Sequence, residues 1–155
     1  MKKKVKVGVA LMCLAMLVFT GCGGKRESLT DKEFQSKAEQ HGYEIMDATE
    51  QFSDYDHIQS ATNAIKDNSY QVEFYTTSNS SSAASMFQSN KESFESTKGS
   101  SAKEGERSGK NYQTYSLSTN GQYMHLCQID NTLIYVDIPE VNMKDAQEFL
   151  KAIEY

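Results

Sequence analysis

The sequence predicts an α+β chain: an antiparallel sheet of about five to six strands with two to three helices packed on one face. Three observations lead there. Apolar and polar residues alternate in several short runs, the period of a half-buried strand. The runs are joined by hairpin-length connections, of which Asn120-Gly121 is the clearest. Between and after them lie stretches with helical spacing and recognisable start and stop residues.

The first helix starts at Thr30-Asp31-Lys32-Glu33, which fits a capping box in which Thr30 and Glu33 exchange hydrogen bonds. Leu29 and Phe34 take the staple positions, Phe34, Ala38 and His41 form the inward stripe, and Gly42 supplies the left-handed residue that ends the helix. A strand over 43–47 follows. Strands over 57–65 and 70–76 flank the turn Lys66-Asp67-Asn68-Ser69, with Tyr70, Val72 and Phe74 on one face. A serine-rich stretch leads into a helix over 83–97, with Ala83, Met86, Phe87 and Phe94 as its apolar side and Gly99 as its stop. From 99 to 110 the only apolar residue is Ala102, which predicts a mobile loop. Strands over 112–118, 122–129 and 132–138 come next, turning at Asn120-Gly121 and Asp130-Asn131. Pro139 ends the sheet, and Asn142 caps a last helix with Ala146, Phe149, Leu150 and Ile153 on one face. Because an Asp-Asn turn precedes an apolar strand twice, the chain also reads as two helix-plus-three-strand units closed by a terminal helix; chance recurrence explains the echo equally well.

The N-terminus has a different character. Lys2, Lys3, Lys4 and Lys6 precede an apolar run over 7–19, and Thr20-Gly21-Cys22 follows. This is a positive n-region, a short apolar h-region and small residues at a cut point. Phe19-Thr20-Gly21-Cys22 resembles the lipobox of bacterial prolipoproteins, with Phe19 where Leu is usual. The resemblance implies a signal peptide over 1–21 and a diacylglyceryl group on Cys22, which becomes the first residue of the mature chain. Over its whole length the chain also loosely resembles small uncharacterised lipoproteins of anaerobic Gram-positive bacteria, which implies the outer face of the cytoplasmic membrane. The competing readings are an uncleaved membrane anchor and a secreted protein cut before Cys22. The anchor is short, since 7–20 is 14 residues. As a helix that is about 21 Å, against a hydrocarbon core of about 30 Å. Two acyl chains hold firmly where one binds only marginally. Residues 22–28 then form a tether that keeps a single domain, 29–155, within roughly 25 Å of the bilayer.

Three cysteines, Cys13, Cys22 and Cys127, allow no internal disulfide once Cys13 leaves and Cys22 is acylated. The domain is therefore held by its core. The net charge of −5 becomes −9 without the four lysines of the signal segment. That balance, with no basic patch, excludes a nucleic-acid partner.

Cys127 and His125 are the candidate catalytic pair, two apart on a strand and so on one face with Tyr123 and Ile129. An imidazole beside a thiol is the beginning of a cysteine hydrolase or transferase. Side chains at that spacing are about 6–7 Å apart at Cβ, and a buried Cys and His on a sheet face satisfy the same pattern. Asp54 and Asp56, near Asp47 and Glu50, are the candidate metal ligands, an oxygen-rich cluster without EF-hand spacing or its turn glycine. His41, His57 and His125 lack zinc spacing. No phosphate loop and no nucleophile elbow is present, and no cofactor is implied. The sequence thus predicts a membrane-anchored extracytoplasmic lipoprotein acting as a non-enzymatic binding or accessory module on another envelope component. Its alternatives are a cysteine-dependent envelope enzyme using Cys127 and His125, and a small-ligand-binding domain.

Overall fold

The computed structural model describes residues 24–155; the signal-like segment 1–21 and Cys22 lie outside the described residues. Helix α1 (Asp31–Gln40) opens with the capping box intact: the Glu33 amide donates to Thr30 Oγ1 at 3.3 Å, and the Thr30 amide donates to Glu33 Oε2 at 2.8 Å. It closes at Gly42, whose φ of 76° favours glycine. Phe34 and Ala38 face inward as the spacing requires, whereas His41 is the exposed C-cap.

Seven strands follow: β1 (Glu44–Asp47), β2 (Ile58–Lys66), β3 (Tyr70–Thr77), β4 (Lys103–Ser108), β5 (Tyr112–Thr119), β6 (Gln122–Ile129) and β7 (Thr132–Pro139). They form one antiparallel sheet in the order β1-β2-β3-β7-β6-β5-β4. The sheet is two meanders joined where β3 meets β7. The β5–β6 turn pairs Thr119 with Gln122 and puts both central residues at positive φ, Asn120 at 51° and Gly121 at 79°. That twist matches the flanking strands.

Helix α2 (Ser80–Ser96), capped by Asn79, and helix α3 (Met143–Ala152) complete the fold. α1 and α3 cover one face, where Phe34 stacks on Phe74 with ring centroids 4.6 Å apart and Ala146, Phe149 and Leu150 close over Val72, Ile134 and Val136. α2 covers the other, placing Phe87 and Phe94 against Tyr115, Leu117, Leu126 and Leu133. The helices therefore lie on both faces, not one. The reason is in the central strands: β6 and β7 bury most of their residues, and neighbours such as Leu126 and Cys127 enter opposite cores. Strands apolar on both sides need cover on both sides.

The sheet also has more strands than the five to six expected. The extra one is β4, inside the stretch expected to be a loop over 99–110. All six of its residues are exposed. It pairs with β5 at the sheet edge, and Glu104 and Glu106 reach Lys98 and Lys91 of the α2 region. The helix-led units accordingly carry three and four strands, rather than three each. No helix among the described residues is long and apolar enough to cross a membrane.

Candidate functional site

Residues 24–28, expected as a free tether, are docked on the sheet. The Arg26 amide donates to Asn111 Oδ1 at 2.9 Å, and Asn111 Nδ2 donates back to the Arg26 carbonyl at 2.8 Å and to Asp130 at 2.9 Å. The Lys110 amide donates to the Gly24 carbonyl at 3.4 Å, and the Leu29 amide donates to the Tyr155 hydroxyl at 3.0 Å. These bonds satisfy backbone groups that would otherwise lie against the protein unpaired. Gly109 makes room for the strap. A Cβ there would lie 2.7 Å from the Gly24 carbonyl and 2.1 Å from the Tyr112 ring.

The strap roofs a cavity of about 570 Å³, within the range of small-molecule sites. Its floor is Tyr123 and His125 of β6, whose rings lie nearly parallel, at 15°, with centroids 6.3 Å apart. The helical wall is Gln147, Leu150 and Lys151, continuing to Glu154 and Tyr155. Lys25, Arg26 and Glu27 form the roof. Ion pairs among the described residues are confined to Lys91–Glu106 and Lys98–Glu104, so Lys25, Arg26 and Lys151 have no carboxylate within salt-bridge distance.

His125 is the anomaly of the site. Neither ring nitrogen has a hydrogen-bond partner, and both are out of solvent, although the residue as a whole is half-buried. Such unpaired groups cost free energy unless something completes them. Burial first, and then the nearby Arg26 charge, push the imidazole down to about 4, so it is neutral at physiological pH.

Cys127 lies one residue further along the same face and is fully buried. Burial pushes its thiol up to about 12, against a smaller opposing pull from Arg26, whose Nη1 is 4.0 Å from Sγ. The structure does not join Cys127 to His125: the imidazole nitrogens have no hydrogen-bond partner, and the thiol is covered. Burial disfavours both the charged imidazole and the thiolate here. Asp54 and Asp56 are exposed in the connection into β2. Among the described residues no three of His, Cys, Asp and Glu gather as a metal site. Asp47 is already used: its Oδ1 accepts the Thr49 amide at 2.8 Å, which, with the Thr49 side-chain bond as the larger cause, holds its carboxyl below the usual range.

Strand alternation puts Tyr123, His125 and Cys127 on one face, whereas nothing in the spacing of residues 22–28 marks Lys25 and Arg26 as part of a site. The one available signal was two adjacent cations just after Gly23-Gly24. No family model matches the chain, and neither a curated protein nor a solved structure matches it.

Proposed function

We propose that the chain is a membrane-anchored extracytoplasmic lipoprotein of a Gram-positive-type bacterium, a non-enzymatic binding module held on the outer face of the cytoplasmic membrane by a diacylglyceryl group on Cys22. The cavity beneath the strap is its binding site. The observation that carries the binding role is a roof guanidinium, Arg26, with no carboxylate partner, set over a cavity floor that includes the His125 imidazole. A covered thiol pushed up to about 12 supports binding over catalysis.

The anchor rests on the lysine-rich, apolar and lipobox-like segment 1–22. Docking of the strap shortens the connection. Two residues, Cys22 and Gly23, precede Gly24, and at about 3.5 Å each they span about 7 Å rather than the full tether. The cavity would then work at the lipid surface, its roof continuous with the anchor.

The test is the intact mass of the protein extracted from its native membranes. A diacylglyceryl increment on a chain beginning at Cys22, lost together with membrane retention in Cys22→Ser, is the expected result. An unmodified mature chain, or unchanged retention in the variant, overturns it.

A further inference from the structure

The cavity's chemistry narrows what can fill it, an inference that rests on the binding role just stated. Three cations, Lys25, Arg26 and Lys151, face two side-chain carboxylates, Glu27 and Glu154, in a protein whose described part carries a net −9. Two of the cations, Lys25 and Arg26, sit side by side in the strap, a local positive feature in an acidic domain that attracts anions. Arg26 is the decisive cation. It is half-buried, it lies 4.2 Å from the centroid of the Tyr112 ring, and it has no carboxylate. One arm of the guanidinium, Nη1, lies 4.0 Å from Cys127 Sγ, and its remaining donors suit a planar two-oxygen acceptor.

His125 adds a donor. Its nitrogens are covered while its residue borders the cavity, so the area it shows there is not nitrogen. A half-turn about χ2 exchanges Nδ1 with Cδ2 and Nε2 with Cε1 in nearly the same ring outline. In that orientation a neutral N–H would face the cavity, within the field of Arg26. The side chains of Tyr123, Leu150 and Tyr155 add ring and methyl surface to the remaining walls.

We propose that the cavity binds a small organic carboxylate with an apolar body, its carboxylate received by Arg26 and His125 and its body laid against Tyr123, Leu150 and Tyr155. Inorganic phosphate has no apolar body for these walls and is the discriminating control.

The experiment is a solution NMR titration of the full-length protein in detergent with benzoate, benzamide and inorganic phosphate, each at millimolar concentration. Resonances of His125, Tyr123 and Leu150 are followed. Benzoate should shift them saturably, and the other two should not. Arg26→Gln should weaken benzoate about tenfold, as expected for a charged hydrogen bond. Lys151→Met, an exposed rim substitution that leaves the strap alone, should weaken it about threefold through the lost field. Equal shifts with benzamide, or saturation by phosphate in place of benzoate, overturn the assignment of an apolar carboxylate but leave a binding cavity standing. No saturable shift with any probe overturns both. Undiminished benzoate binding in Arg26→Gln overturns the role of the guanidinium.

Discussion

The guanidinium carbon of Arg26 sits 4.2 Å from the centroid of the Tyr112 ring, and that contact ties the N-terminal strap to the strand next to Cys127 and His125. One side chain thereby closes the cavity, covers a thiol and lowers an imidazole. Disturbing it should be felt at all three.

Cys127 should therefore resist iodoacetamide in the folded protein, because the thiol is buried and protonated. Arg26→Ala removes a partly desolvated cation–π contact of about 1–2 kcal/mol, and the labelling rate should rise roughly tenfold through local opening. Gly109→Ala should do the same without touching Arg26, since its Cβ would displace the Gly24 carbonyl and the Tyr112 ring. Rates equal to the parent protein in both variants would mean that the strap does not gate the thiol.

His125 makes stability pH-dependent. Burial first, then Arg26, pushes its imidazole down to about 4 in the folded state from an ordinary 6.5, so the unfolded chain binds more protons between those values. Its contribution is complete above pH 6.5 and is lost as pH falls toward the folded value. At about 1.4 kcal/mol per pH unit, the loss approaches about 3 kcal/mol. Urea unfolding at neutral and acid pH should show a steeper acid loss for the parent protein than for His125→Asn. Identical slopes would refute the buried neutral imidazole.

The two-faced sheet has its own test. Phe34 and Phe87 are both fully buried, one under α1 and one under α2. Phe34→Ala and Phe87→Ala should each cost about 3–5 kcal/mol in chemical denaturation. A near-neutral Phe87→Ala would leave α2 without a core.

Much of this was legible in residue order. The capping box at Thr30 and Glu33, the left-handed Gly42, the Asn120-Gly121 hairpin and the inward faces of α2 and α3 are local signals, and local physics decides them. β4 was hidden because Lys103-Glu104-Gly105-Glu106-Arg107-Ser108 has no apolar residue. An exposed edge strand is held by its neighbour and kept charged against further pairing. The second helical layer shows only in β6, where Met124 and Leu126 on one side and Cys127 and Ile129 on the other put apolar residues on both faces. The roof was hidden most deeply. Asn111 clamps Arg26 across 85 residues, and no periodicity reports a contact of that range.

The cavity exists only if residues 24–28 lie on the sheet, and the most direct check is the solution NMR environment of the Arg26 side chain in the full-length protein. Arg26 δ-methylene protons shifted upfield by the Tyr112 ring, with cross-peaks to that ring that vanish in Tyr112→Leu, are expected from the 4.2 Å contact. Random-coil Arg26 shifts with no contact to Tyr112 would contradict it, and the proposed site would lose its roof.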